Sequence, residues 1–371
     1  MLEEEIKERA REAGAALVGI APRERLEGHA CADPSYYLPG ARSVISFAVP
    51  LDRGVVRGYL AKRDLSARRE MAVLEYETYC RLEEIGEAVK EWLEGKGYRA
   101  ANCERNLDYR NHERGRERWE GARMIAELAR TDPEHPLVQA LRSGEADIYN
   151  PDYTPTFSHR YAAVAAGLGR LGWSGNLVTR EYGALVYLGS VVTEAELRPD
   201  PQLEENPCSG CRRCVSVCPS GFLAVKEARP VRIGEVEDRV CRHGTLSRCV
   251  LCCGGFWRGA RERWSTWSPW RLPVPRSDEE ADALIRRTVV EHLLAGGRKT
   301  ENVLRFAKGI ALGLRKEVMS PDDFGPTCSF CQLVCWGSEG EREENVRLLF
   351  SSGVVEEENG ELVIRRPVEA R

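Results

Sequence analysis

Cys208-Ser209-Gly210-Cys211-Arg212-Arg213-Cys214-Val215-Ser216-Val217-Cys218-Pro219 sets four thiols at steps of three, three and four, with a proline closing the run. A second run, Cys328-Ser329-Phe330-Cys331-Gln332-Leu333-Val334-Cys335, starts 110 residues after Cys218. Three thiolates at steps of three come from one tight turn and can hold three corners of an iron–sulfur cube. The fourth, placed before proline, points the other way and can ligate a second cube. Zinc sites draw two cysteines from a loop and have no use for a third at the next step. Disulfide frameworks suit short secreted chains, whereas this chain carries 14 cysteines in 371 residues.

The first run has the ligand spacing of the bacterial two-cluster ferredoxins. Such proteins cross their ligands, so Cys208, Cys211 and Cys214 are expected to share one cluster with Cys335. Cys218, Cys328 and Cys331 then hold the other, which needs a fourth thiolate. Cys241, Cys249, Cys252 and Cys253 are the candidates. Cys241 is favoured, because Glu235-Val236-Glu237-Asp238-Arg239-Val240 leads into it as a short structured element. The other three lie in Arg248-Cys249-Val250-Leu251-Cys252-Cys253-Gly254-Gly255, read as a glycine-ended turn. They stand either as idle thiols in a reducing compartment or as a third metal site.

Hydrophobic residues make up 42% of the chain, enough for a large core in two domains or one with a substantial appendage. A formal charge of −4 gives no pull toward nucleic acid or acidic membranes, so neither is expected as a partner. Met1-Leu2-Glu3-Glu4-Glu5-Ile6-Lys7 is acidic and helix-like, unlike a secretory or twin-arginine signal. No apolar run approaches the ~20 residues that span a bilayer. With many thiolates, these features point to a cytoplasmic protein.

Residues 1–200 read as alternating helices and strands. Leu2 to Ala13 predicts a charged helix, and Ala16 to Ile20 and Ser43 to Pro50 predict strands. Met71, Leu74, Leu82, Ile85, Val89 and Leu93 write a long helix at the 3.6 period, stopped by Gly95-Lys96-Gly97. The charged residues 110–123 read as a solvated loop or helix face, with a mobile substrate-side loop as the alternative. Ala184 to Thr193 is the strongest strand. Residues 254–327 look mostly helical, and the tail reads as a hairpin around Asn359-Gly360. Trp264, Trp267 and Trp270 suit core packing of the inserted segment, or a lid over an apolar ligand.

Ala165-Ala166-Gly167-Leu168-Gly169-Arg170-Leu171-Gly172-Trp173-Ser174-Gly175-Asn176-Leu177-Val178-Thr179, continuing through Glu181-Tyr182-Gly183, resembles epoxyqueuosine reductases and corrinoid-dependent reductive dehalogenases. Leu38-Pro39-Gly40-Ala41-Arg42-Ser43-Val44-Ile45, Asp238-Arg239-Val240-Cys241 and the second cysteine run also resemble the former. Trp336 stands where those families usually have proline. The resemblance implies an α+β architecture, with a nitroreductase-like cobalamin-binding domain over 1–200. A ferredoxin-like domain with two 4Fe–4S clusters would occupy 201–371, with a helical insertion at 254–327. It also supports Cys241 as the eighth ligand.

In such a fold Gly167, Gly169 and Gly172 would let backbone approach a large flat cofactor. His159 and Arg160 open a predicted helix, Phe157 to Leu168, and would lie beside the corrin; Asn176 would bond a substrate or a corrin amide. His159 reads equally as a capping or surface histidine. Ungapped alignment puts Tyr153 where epoxyqueuosine reductases carry an aspartate proton donor, and a one-residue shift puts Asp152 there. The implied function is a cobalamin-dependent reductase, drawing electrons from a ferredoxin or flavodoxin and cleaving a bond in a small molecule or modified base. The alternative is an electron-transfer protein that reduces the cobalt of a partner corrinoid protein.

Overall fold

The computed structural model describes residues 2–105, 112–148, 157–261 and 263–366. Its first helix, α1 (Leu2–Glu12), has Glu3, Glu4 and Glu5 in the first turn and Arg9 and Arg11 in the last, the order the helix dipole favours. β1 (Leu17–Pro22) and β2 (Ser43–Pro50) pair antiparallel, Gly19 opposite Ser46. α2 (Arg53–Leu60) is capped by Asp52, and α3 (Ser66–Gly95) runs 30 residues before β3 (Ala100–Asn102). α4 (His112–Thr131), α5 (Pro136–Ser143) and α6 (His159–Ala165) lead to the glycine block. There the two-residue strands β4 (Arg170–Leu171) and β5 (Leu177–Val178) form a tight hairpin, and β6 (Val186–Thr193) returns to the sheet.

The main sheet has the order β1-β2-β6-β3, every neighbour antiparallel. Along β2 the side chains alternate faces. Ile45, Phe47 and Val49 pack with α1 and α3, while Val44 and Ala48 pack with α6 on the opposite face. Covered on both sides, β2 reads as a near-continuous apolar run. β3 pairs only with Val191–Thr193, which leaves the start of β6 as an edge.

The second half opens with α7 (Arg213–Ser216) and a hairpin of β7 (Leu223–Ile233) and β8 (Val236–His243). α8 (Leu246–Cys253), α9 (Asp278–Leu294) and α10 (Gly297–Leu312) follow, then α11 (Phe330–Leu333) and α12 (Glu339–Phe350). β9 (Val354–Glu358) and β10 (Glu361–Arg365) close the chain as the expected hairpin, with Asn359 and Gly360 both at positive φ. Residues 248–255 are therefore not a turn: through Cys253 they are helix, with Ser247, Val250, Leu251 and Cys252 buried. The charged stretch near 112–123 is also helical, and its continuation carries Ile125 into a core shared with α8, α9 and α10. Chain halves thus interleave: α4 and α5 pack on the helices of the insertion. Helix occupies 278–294 and 297–312, whereas the described residues of 254–277 form no regular helix.

Trp264 and Trp267 are core residues. Trp267 is fully buried, stacks on Tyr59 at 5.4 Å and donates its indole N–H to the Tyr59 carbonyl. Trp264 meets Phe330 and Phe350.

One buried ion pair joins the halves. Arg170, on β4, reaches Asp238 of β8 at 2.7 Å and also donates to the carbonyls of Leu203, Glu204 and Glu237. Asp238 accepts in addition from the Leu171 N–H and from Asn206, whose own oxygen accepts from the Cys208 N–H. Every polar atom of the pair is occupied, the condition under which a buried pair is held at little net cost. Arg170→Met would leave Asp238 charged and unpaired, and should lower the unfolding free energy by about 3–5 kcal/mol in a urea titration. A loss below about 1 kcal/mol would contradict this role for the pair.

Candidate functional site

The two cysteine runs adopt the same local geometry. Arg212 follows Cys211 and Ser329 follows Cys328, and both sit in the left-handed region, at φ 57° and 59°. Each starts a one-turn helix, α7 or α11, and these two helices pack together. Backbone N–H groups are thereby turned toward the thiols, Arg213 N–H toward Cys211 and Phe330 N–H toward Cys328; from the β4–β5 hairpin, Trp173 N–H donates to Cys208 Sγ at 3.4 Å.

Electrostatics groups the thiols into two overlapping sets, with the charge of Cys331 felt in both. Burial, then the charges of Cys335, Cys331, Cys208 and Cys211, pushes the Cys214 thiol up. Burial, then Cys208 and Cys211, pushes Cys335 up to about 12. Cys208, Cys211, Cys214 and Cys335 are thus neighbours across the two runs. Cys331 is pushed up to about 12 by burial, then by Cys249 and Cys218. Cys328 is raised by burial and by Cys331, Cys249 and Cys218. Of the candidate fourth ligands, Cys249 acts on both Cys328 and Cys331, while Cys241 acts with Cys218 and packs in one cluster with Cys214, Cys218 and Cys331. Cys252 lies beside Cys328 and Cys218, and Cys249 Sγ stands 3.9 Å from Cys253 Sγ. Thiols that raise one another's pKa are grouped donors whose anionic forms need a cation between them. Among the described residues no three His, Cys, Asp or Glu side chains converge on a single-ion site.

Beside the second set lies a cavity of about 440 Å³, walled by the start of α6, the β4–β5 hairpin, the free edge of β6 and the β7–β8 hairpin. Asn176 lines it and donates to Cys331 Sγ at 3.7 Å. Gln332, the residue after Cys331, also lines it and bonds the Val186 carbonyl at 3.0 Å. His159, Arg160 and Asn176 therefore meet in one cavity, next to a cysteine of the second run. Arg160 is exposed at the wall and donates to the Gly175 carbonyl at 3.3 Å.

Gly167, Gly169 and Gly172 do not line it. A Cβ on Gly167 would meet the Pro201 carbonyl oxygen at 2.3 Å, and one on Gly169 that of Val178 at 2.4 Å. A Cβ on Gly172 would strike Val178, with Cys208 Sγ at 3.5 Å. Their missing side chains make room for the backbone of Pro201 and Val178 and for the side chains of Val178 and Cys208. Gly175, at φ +78°, is the glycine that faces the cavity. Asp152 and Tyr153 lie outside the described residues.

His159 is neither a cap nor a surface residue. Ser158 caps α6, and the His159 ring is held by Ser190 Oγ at Nδ1 (3.0 Å) and the Glu104 carbonyl at Nε2 (3.4 Å). A carbonyl only accepts, so Nε2 carries the proton and Nδ1 accepts from Ser190. Burial, then the charge of Arg105, pushes its pKa down to about 3. Two further features carried no sequence signal. Tyr187 lines the cavity and donates to Glu75 at 2.7 Å, and burial raises the Glu75 carboxyl to about 7. Arg105 also reaches the wall, although Glu104-Arg105-Asn106 reads as ordinary surface sequence.

No family model matches the chain. An epoxyqueuosine reductase of Gloeobacter violaceus is 38% identical over 122 residues, 29% of this chain and 37% of that protein. Another, of Bacillus cereus, is 32% identical over 88 residues, 24% of this chain and 21% of that protein. The chain matches only about a fifth to somewhat over a third of their length. Among solved structures, an epoxyqueuosine reductase bound to a tRNA stem loop is 19% identical over 60% of this chain and 52% of that one, with a TM-score of 0.35. A reductive dehalogenase described in connection with B12-dependent dehalogenation is 15% identical over 83% and 37%, with a TM-score of 0.43.

The folded pKa of His159 lies below the ordinary 6.5, so in between the unfolded chain binds a proton that the folded chain refuses. Stability rises with pH across that window and is lost on acidification. Between about pH 7 and pH 5 the wild type should lose about 2 kcal/mol more than His159→Gln in denaturant titrations. Equal losses would contradict a buried neutral histidine.

Proposed function

We propose that this chain is a cobalamin-dependent iron–sulfur reductase that acts on a small molecule or a modified base. The observation that carries the reading is the bond from Asn176, a cavity wall residue, to Cys331 Sγ at 3.7 Å. It puts a thiol of the cysteine framework one side chain from a ligand-sized space. The donor sets fit the groups. Eight thiols in two mutually charged sets suit two cubes, with Cys208, Cys211, Cys214 and Cys335 on one and Cys218, Cys328 and Cys331 on the other. For the last place we assign Cys249 in preference to Cys241, because its charge acts on both Cys328 and Cys331. The cavity offers apolar walls at Phe157, Leu177 and Val231, with amide and guanidinium donors at Asn176, Gln332 and Arg229. That combination suits a flat macrocycle with an amide-bearing rim.

When bound, a corrin supplies low-valent cobalt able to attack or reduce a substrate, chemistry outside the reach of side chains. The chain's own residues have narrower tasks. N–H donors at Trp173 and Asn176 stabilise electron-rich sulfur at Cys208 and Cys331. His159, with both nitrogens engaged by protein, stays neutral and shapes the wall. The Tyr187–Glu75 pair can hold a proton at the phenol oxygen beside the cavity. Tyr153 and Asp152 remain our candidates for protonating the product, and a ferredoxin or flavodoxin for the external donor.

Anaerobic reconstitution tests the reading. The wild type should hold about eight iron atoms and bind cobalamin one to one in the base-off form. Cys249→Ser should fall to about four iron atoms while Cys241→Ser keeps about eight. Full iron content with no corrinoid bound would overturn the reductase reading, and the reverse pattern of the two variants would return the eighth ligand to Cys241.

A further inference from the structure

Arg105 follows β3 by three residues and is fixed through its backbone, where its carbonyl accepts from Leu314 N–H at 3.2 Å. Only 4% of the residue is exposed. Among the described residues its Nε and Nη1 are buried with no hydrogen-bond partner, and the carboxylate of Glu83 stands 4.0 Å from Nη2. The side chain nevertheless reaches the wall of the 440 Å³ cavity. A guanidinium is always charged, so it cannot relieve burial by losing its proton. Leaving two of its nitrogens, three N–H groups in all, dry costs several kcal/mol unless something supplies acceptors.

The surroundings say what that acceptor is. Among the described residues lining the cavity there are three arginines, Arg105, Arg160 and Arg229, and no aspartate or glutamate. His159, beside Arg105, is spent on Ser190 and the Glu104 carbonyl and offers Arg105 no acceptor. The planar fork of a guanidinium matches two oxygens of one carboxylate or phosphate. We propose that Arg105 receives an acidic oxygen group, a carboxylate or a phosphate, of the molecule that fills this cavity. Arg105 is thereby a positioning residue that restricts ligands to those with an anionic end at that depth.

Two sources carry such a group: the phosphodiester of cobalamin's nucleotide tail, and an acidic substituent on the substrate. The second source rests on the reductase reading above; the anion site itself does not. Isothermal titration of the reconstituted full chain and of Arg105→Gln separates the two. Cobalamin, cobinamide (the corrin ring without the phosphodiester tail) and benzoate serve as probes, with benzamide as the neutral control. If Arg105 holds the tail, the variant should lose on the order of thirtyfold or more in cobalamin affinity and nothing for cobinamide. If it holds a substrate group, both corrinoids should bind unchanged while benzoate binding falls by a similar factor. Should the variant not fold, the wild type alone still decides, since thermal stabilisation by benzoate but not benzamide, or by cobalamin beyond cobinamide, is expected. The proposal is overturned if Arg105→Gln binds all three probes like wild type, or if the wild type does not discriminate within either pair. Benzoate held through Arg105 with no corrinoid bound would sink the cobalamin reading and leave the anion site standing.

Discussion

The Arg170–Asp238 pair is the contact through which the cysteine framework is registered on the sheet domain. Arg170 belongs to the glycine block, Asp238 to the hairpin after the first cysteine run, and Asn206 links them to the backbone of Cys208. With the pair closed, β4 and β5 bring Trp173 N–H onto Cys208 on one side and Asn176 onto Cys331 on the other. Two cysteine runs separated by 110 residues thus pack together beside a hairpin of nine residues, which also lines the cavity. The burial of this pair (6% and 3% exposed) makes it intolerant of losing either partner.

Much of this architecture is written in local patterns. β2 and β6 are readable because both of their faces are buried, so apolar residues run almost without interruption. α3 is readable because one face meets the sheet and repeats at 3.6 residues. The likeness of the two cysteine runs is written in their spacing, and Arg212 and Ser329, both at positive φ, give them the same turn.

What local pattern misreads has a common cause. Cysteine packs as a small apolar residue, so Arg248–Cys253 hides a helix under what looks like a cysteine-rich turn. Glycines announce that something approaches closely, but not what: at Gly167 and Gly169 it is the backbone of Pro201 and Val178. Arg105 and the Tyr187–Glu75 pair depend on contacts between β3, α3 and β6, which no window of sequence contains. Polar residues that finish a site from distant elements leave no periodicity behind.

On the function proposed above, a reducible cluster and the ligand of the cavity lie within direct electronic reach through the Asn176–Cys331 contact. Electron paramagnetic resonance of the partly reduced, cobalamin-loaded chain tests it most directly. With the second cluster reduced and cobalt in its paramagnetic divalent state, the two spins should split or broaden each other's signals, and Asn176→Ala should alter that coupling. Superimposable, independent signals from the two centres would contradict the account.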